Sequence, residues 1–283
     1  MKKEIDKRTS YLGPKGTYSE EAALIHKNQK ENLIDPKKNI FEVLESVEKK
    51  INFEGIIPIE NSRVGTIIEV IDYLIKSKNL FLNKEILVPI EACLITKNKI
   101  DSLDYITEII SKPEAINQCN EWIRKNLNED VILTESPSTG DAVSSLNNHD
   151  SSVAAIGPER AAIINEYYIF ERGIQDFKNN ITRFVVISNN PSKKSGKDKT
   201  SIAFDFKTKD KSGLLLAALE SFSKRNINLQ KIESRPKGTQ MGEYTFIIDF
   251  NGHIEDKLVI DALNELSKIT TLLKVLGSYP RSY

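Results

Sequence analysis

Short apolar runs alternate with helical repeats through the first two-thirds of the chain. Tyr11-Leu12 runs into the turn Gly13-Pro14-Lys15-Gly16, and a helix is expected from about Ser19. Phe41, Leu44 and Val47 recur at helical spacing, as do Ile67, Ile68, Ile71, Leu74 and Ile75. Between them, residues 56–59 read as a strand. Further strands are expected at 86–88, 92–96, 106–110, 131–134 and 153–156, with helices starting near Pro113, Ser138 and Pro158. Such alternation predicts an α/β fold with largely parallel sheet and ligand sites at strand ends or between lobes. The pattern stops at residues 189–199, which hold no apolar residue and are rich in Asn, Ser, Lys, Pro and Gly, a linker composition. It restarts as strand 201–206, helix 213–224, strand 229–234, strand 244–250, helix 257–266 and strand 272–277. That order is the ferredoxin-like βαββαβ arrangement. No internal repeat is visible.

Composition narrows the class. A hydrophobic fraction of 39% supports a packed core across 283 residues, and Lys+Arg and Asp+Glu are balanced at 40 each. Balanced charge offers no global field toward nucleic acid or membrane. The basic start MKKEIDKRTS lacks an apolar core, so no secretory leader is expected, and no apolar stretch is long enough for a membrane span. Two cysteines, Cys93 and Cys119, lack metal or redox spacing and suggest reduced cytosolic thiols. The expectation is a soluble cytoplasmic protein.

Three polar stretches border apolar strands. In residues 13–23, Thr17 followed by Glu20 fits a capping box, and the amides of the same helix start could hold a carboxylate. In residues 56–74, Glu60-Asn61-Ser62 stands at a strand exit, where it can hold a small polar ligand or cap the next helix. In NNITRFVVIS, Thr182 and Arg183 precede the buried run that begins at Phe184. Arg183 there is either a solvated strand-end cation or an anion clamp. His26, His149 and His253 fall outside these stretches. A zinc-type His pair, a nucleophile elbow, a Walker lysine and a dinucleotide fingerprint are all missing from the sequence. What remains is chemistry by anion binding and hydrogen-bond donation.

Taken in order, these residues resemble the prephenate dehydratases from Tyr11 to Pro280. The motifs are Gly13-Pro14-x-Gly16-Thr17-Tyr18-Ser19, Pro58-Ile59-Glu60-Asn61-Ser62 and Thr182-Arg183-Phe184. Behind the linker, Ile232-Glu233-Ser234-Arg235-Pro236 and Leu276-Gly277-Ser278-Tyr279-Pro280 resemble the family's regulatory ACT domain. The resemblance implies a two-lobed catalytic domain of the type II periplasmic-binding-protein kind over residues 9–188. One lobe would hold 9–86 and 167–188, the other 87–166. A linker (189–199) and an ACT domain (200–283) would follow. No chorismate mutase segment precedes Tyr11, as in the monofunctional form.

The implied reaction converts prephenate to phenylpyruvate, without cofactor or metal, in phenylalanine biosynthesis. Rearomatisation drives it, so the protein need only grip the dianion and assist the departing hydroxyl. Thr182 is the expected donor to that oxygen, and Arg183 could pair with a carboxylate, although alternation along a strand sends neighbours to opposite faces. Phe184 would anchor the pair. Motif position adds Asn61, with Ser111 and Gln118 from SKPEAINQC, and the helix start Ser138-Thr139. Lys112 and Glu114 stand where the family usually has His and Gln. Thr17, Glu60 and Ser62 complete the expected substrate contacts.

The ACT resemblance implies feedback by phenylalanine, bound where two such domains pair in a homodimer or homotetramer. Gly213, Leu214 and Leu215 on a strand-to-helix loop are the expected contacts, with Glu233, Ser234, Arg235 and Pro236. Leu214 replaces the family's usual Ala. Two alternatives stay open at this point: an arogenate dehydratase, and a non-catalytic amino-acid sensor lacking need for Thr182.

Overall fold

The computed structural model describes residues 6–207, 211–237 and 242–282; residues 1–5, part of the basic start, lie outside it. The chain first runs through β1 (Asp6–Leu12), α1 (Tyr18–His26), β2 (Ile34–Lys37), α2 (Ile40–Glu48) and β3 (Asn52–Asn61). The short β4 (Gly65–Thr66), α3 (Ile68–Lys76) and β5 (Phe81–Pro89) complete this stretch. It then crosses to a second lobe with β6 (Cys93–Thr96), β7 (Glu108–Ser111), α4 (Pro113–Gln118), α5 (Asn120–Asn126) and β8 (Ile132–Glu135). That lobe continues through α6 (Thr139–Ser145), β9 (Val153–Gly157), α7 (Glu159–Asn165) and β10 (Tyr168–Arg172). The chain returns to the first lobe as β11 (Ile181–Ser188).

Each lobe is built on one sheet. The first is ordered β2-β1-β3-β11-β5 with β4 on β3, the second β10-β6-β9-β7-β8. Both are mixed rather than largely parallel: β1 pairs in parallel with β2 and β3, whereas β11 runs antiparallel to β3 and β5. The cause is the double crossing. A strand leaving for the other lobe and the strand coming back must point in opposite directions. Segment 167–172, expected in the first lobe, belongs to the second, where β10 pairs antiparallel with β6. Its Ile169 and Phe170 pack against that lobe's cores, a tertiary choice with no local signal.

The C-terminal module comprises β12 (Asp198–Phe206), α8 (Leu214–Ser223), β13 (Leu229–Pro236), β14 (Tyr244–Asn251), α9 (Lys257–Ser267) and β15 (Thr270–Pro280). Its sheet order, β13-β14-β12-β15, is the ferredoxin-like antiparallel arrangement expected from the pattern. The linker ends sooner than its composition suggests. Asp198 and Lys199 are buried in β12, and the Lys199 ammonium lies 2.8 Å from Glu85 of the first lobe. Burial of that lysine is tolerated because a carboxylate accompanies it.

One face of this sheet carries the two helices, over a core that includes Ile202, Phe204, Phe222 and Phe250. The other face lies on the first lobe. Ala203, Ile247, Leu276 and Tyr279 share a single apolar cluster with Ile57, Ile59, Leu82, Val185 and Ile187. Along β11 the alternation is clean: Val185 and Ile187 face the C-terminal module, while Phe184 and Val186 join Tyr11, Ile56 and Val88 on the α1 side. Contact at this seam is close enough to need glycine. A Cβ on Gly277 would stand 2.3 Å from the Leu82 carbonyl oxygen.

Gly277→Ala is therefore expected to push β15 off β5. Denaturant unfolding should show a loss of about 1–3 kcal/mol, and proteolysis within residues 189–197 should speed up. Unchanged stability would mean that the seam yields without cost.

Candidate active site

Thr182 stands at the head of β11 on the Phe184 side of the sheet, and its register partner on β3 is Asn61. The Asn61 side chain is fully committed. Its Oδ1 accepts from the backbone N–H groups of Arg63 (2.9 Å) and Val64 (3.1 Å), which can only donate. Its Nδ2 therefore points the other way, to Asn180 Oδ1 at 2.7 Å and Thr182 Oγ1 at 2.9 Å. Thr182 is an acceptor in that bond, so its own proton is left for another group. Among the described residues that proton has no acceptor. A hydroxyl with its acceptor side fixed and its donor side open is a preorganised donor.

The network continues across the lobes. Asn180, buried in the returning segment, donates through Nδ2 to Gln118 Oε1 at 2.9 Å. Gln118 ends α4 of the second lobe, and its carbonyl accepts from the Asp176 amide at 2.8 Å. Asp176 in turn accepts from the amides of Glu121 and Trp122 at the start of α5. Thus Asn61, Thr182 and Gln118 come together, joined by Asn180, which sequence reasoning passed over. Its signal was present in NNITRF: two amide side chains ahead of the threonine, at a turn where the chain re-enters a sheet.

Arg63 was also passed over. It follows Ser62 at the exit of β3, and its guanidinium lies 3.5 Å from the centre of the Phe177 ring. Among the described residues it has no acidic partner. Stacking on the ring fixes the plane of the guanidinium and leaves its edge donors open to a carboxylate. Ser62 has a structural task, with its hydroxyl accepting from the Ile181 amide at 2.9 Å and lying 3.2 Å from the Asn179 carbonyl.

Arg183 and Glu60 require correction. Both were expected at the ligand, and both face the C-terminal module. The Arg183 guanidinium is buried and donates to Glu60 (3.0 Å), Asp249 (2.7 Å) and the Tyr279 hydroxyl (2.6 Å). Its Nε lies 3.1 Å from Glu85, an ion-pair distance. Burial disfavours the charge, yet Tyr279, Asp249 and Glu85 outweigh it and hold the pKa above the ordinary arginine value. Glu60 is also 3.0 Å from Lys231 of the module. Strand alternation is the cause: Thr182 points one way, so its neighbour points the other.

Elsewhere the site residues are more dispersed. Thr17 is the N-cap of α1, accepting from the Glu20 amide and donating to the Pro14 carbonyl. Glu20 closes the turn on the Gly16 amide at 2.7 Å and lies 3.4 Å from Arg160 of the second lobe. Here the lobes touch: a Cβ on Gly140 would be 2.9 Å from the Lys15 carbonyl. Gly140 follows Ser138, the N-cap of α6, and Thr139, its first residue. Ser138 is engaged with Asp141. The Ser111 hydroxyl is fully buried and donates to the Ile156 carbonyl at 2.6 Å, bracing β7 against β9. No hydrogen bond among the described residues joins Ser111 to Thr182. Lys112 and Glu114, the departures from the family pattern, sit 3.3 Å apart as an exposed ion pair.

In the C-terminal module, Gly213 adopts a left-handed φ of 86° as it caps α8, and Leu214 and Leu215 line a cavity of about 360 Å³ with Phe206, Lys207, Tyr244 and Phe246. Glu233 and Arg235 do not reach it within one chain. Glu233 bonds Thr66 and Lys231, while Arg235 is held by Asp72 and the Ile68 carbonyl, so both dock the module on the first lobe. Ser234 and Pro236, on the opposite face of β13, are exposed.

Comparison with known proteins agrees over the whole chain. The prephenate dehydratase family matches residues 9–192 and the ACT domain family residues 204–268. The chain is 36% identical to the prephenate dehydratase of Methanocaldococcus jannaschii, covering 98% of this chain and 99% of that protein. It is 38% identical to the bifunctional chorismate mutase/prephenate dehydratase of Aquifex aeolicus, over 97% of this chain and 74% of the relative. Among solved structures, prephenate dehydratase from Arthrobacter aurescens in complex with L-Phe superposes with a TM-score of 0.86 at 30% identity, covering 97% of this chain and 90% of that one. The chain belongs to the prephenate dehydratase family and carries an ACT domain behind the catalytic lobes.

Proposed function

We infer that this protein converts prephenate to phenylpyruvate, releasing carbon dioxide and water, and that phenylalanine regulates it through the ACT domain. The observation that carries the reading is the polarity of Thr182: Asn61 donates to its oxygen, so the threonine proton is available to a departing hydroxyl. Electron flow is simple. The pair of the C–CO₂⁻ bond enters the ring, the ring becomes aromatic, and the pair of the C–OH bond leaves with oxygen. That oxygen takes up one proton from solvent and departs as water. A threonine is too weak an acid to supply the proton permanently, so Thr182 works as a positioned donor or relay. Gln118 and Asn180 tie both lobes to that point, which favours a closed, poorly hydrated pocket where a carboxylate is prone to leave. Thr17 and the α6 start with Ser138 and Thr139 meet at the boundary of the two lobes, where Gly140 packs on Lys15 and Thr17, and we assign them to the substrate's surroundings.

Arg63 takes the place first given to Arg183 as the partner of a substrate carboxylate. Effector binding at Gly213, Leu214 and Leu215 is supported by the open left-handed loop and the cavity beside it, which offers the Phe206 and Phe246 rings for a side chain and Lys207 and Lys211 for a carboxylate. Exposed Leu216 and Ile232 on the ACT module support pairing of two copies, with Ser234 and Pro236 on the outward face of its edge strand. No described helix is long and apolar enough to cross a membrane, and we place the protein in the cytoplasm.

Purified protein should generate phenylpyruvate from prephenate, read by its ultraviolet absorbance, and added phenylalanine should slow the reaction. No aromatic product from the wild type would sink the reading, and turnover of arogenate alone would redirect it. Thr182→Ala should lower kcat by about a hundred- to a thousandfold. Asn61→Asp keeps the acceptor for Arg63 and Val64 but loses the donor to Thr182. It should depress kcat while hydrogen exchange at those two amides stays slow. For Arg63→Gln the expectation is a KM raised about tenfold or more with kcat little changed, the mark of ground-state binding. A KM equal to wild type would remove Arg63 from the substrate contacts.

A further inference from the structure

Thr182 and Arg183 are adjacent on β11, and their register partners Asn61 and Glu60 are adjacent on β3. Thr182 and Asn61 face the second lobe, to which Asn180 and Gln118 join them, whereas Arg183 and Glu60 face the ACT sheet, so a single step of backbone separates the two pairs. The ladder slips immediately afterwards. Arg183 pairs with Glu60 but Phe184 pairs with Pro58, which leaves Ile59 as an extra residue on β3. A bulge of this kind bends the strand and re-aims the side chains next to it. The pose of Thr182 and Asn61 therefore depends on whatever pins the ladder at Arg183 and Glu60.

The ACT module supplies two of the four groups that hold Arg183, beside Glu60 and Glu85 of the first lobe. Arg183 Nη2 donates to the Tyr279 hydroxyl, and Nη1 to Asp249 Oδ2. Tyr279 lies 2.7 Å from Ser201, which donates to Asp249 Oδ1 at 2.6 Å. A guanidinium only donates and a carboxylate only accepts, so the directions are fixed. They run Arg183 to Tyr279 to Ser201 to Asp249, with Asp249 accepting from Arg183 again. This closed ring draws one residue from each of β12, β14 and β15. All four members are buried.

We propose that Arg183 is a positioning residue for the dehydration, that it holds the bulged β3–β11 ladder so that Asn61 and Thr182 keep their hydrogen-bonded pose, and that the ACT sheet sets its position through Tyr279 and Asp249. The inference rests on the proposed reaction. It also supplies a route for regulation. Any effector-linked shift of the ACT sheet against the first lobe must pull on this ring, and the ring is one residue from the donor. A ligand that favours one placement of the sheet then favours one pose of Thr182.

Tyr279→Phe keeps the ring that fills the shared core and removes one acceptor from Arg183. Steady-state kinetics on wild type, Tyr279→Phe, Thr182→Ala and the double variant test the coupling, with phenylalanine binding followed by equilibrium dialysis. Tyr279→Phe is expected to lower kcat about tenfold with KM within about twofold of wild type. In the Thr182→Ala background the same change should cost less than about twofold, because the hydroxyl it positions is gone. Phenylalanine should still bind Tyr279→Phe but inhibit it more weakly. An unchanged kcat, or the same fold loss in both backgrounds, overturns the proposal, since general loosening acts in both alike. If Tyr279→Phe gives no cooperative melt, Ser201→Ala breaks the same ring without touching Arg183 and is read by the same criteria. Absence of turnover by wild type defeats the proposed reaction itself and takes this inference with it.

Discussion

The antiparallel ladder between β3 and β11 is the constraint on which this molecule depends. It forms because the chain leaves the first lobe on β5 and returns on β11, inserting a strand from the far side of the hinge between two earlier ones. Insertion places the returning strand inside the sheet, between β3 and the edge strand β5, with both faces buried. Its α1 face holds Phe184 and Val186 and ends at Thr182; the other holds Val185 and Ile187 and ends at Arg183. The proposed catalytic donor and the face that meets the ACT sheet are thus on opposite sides of one strand.

Burial of so many charges at the domain seam needs explaining, since a buried ion pair seldom stabilises more than an apolar substitute. Arg183, Lys199 and Lys231 meet Glu60, Glu85, Asp249 and Glu233 there. What such a cluster provides is direction. Apolar packing such as the cluster that Ala203 and Leu276 share with Val185 tolerates sliding, whereas a guanidinium forked between Glu60, Asp249 and Tyr279 accepts one placement. Two neutral donors complete the fit, and burial raises the Tyr279 pKa, assisted by Asp249, so its phenol remains a neutral hydroxyl. Gly277 lets the sheet approach closely enough for these bonds to form.

Much of this was legible in the sequence, and the gaps have physical causes. The βαββαβ order of the C-terminal module followed from its own periodicity, and the family motifs picked out Thr182, Asn61 and Gln118, which one hydrogen-bond network joins through Asn180. Alternation alone warned that Thr182 and Arg183 part company, but what lies on the far face is a contact between residues 66 and 96 positions apart. No local pattern encodes it. Glu60 was misplaced for the same reason, and the ties of Glu233 and Arg235 to β4 and α3 are equally non-local. Lys199 looked like linker because a buried lysine reads as a solvated one until Glu85 is seen beside it. β10 was given to the wrong lobe because a half-buried edge strand carries no mark of the sheet it joins.

The central claim is that Thr182 donates its hydroxyl proton toward the departing oxygen because Asn61 occupies its acceptor side. A crystal structure with a stable analogue of prephenate tests this most directly. The oxygen that stands for the departing ring hydroxyl should lie within about 2.5–3.0 Å of Thr182 Oγ1, with Asn61 still bonded to both Thr182 and Asn180. An analogue bound outside the crevice, or with that oxygen turned away from Thr182, would contradict it.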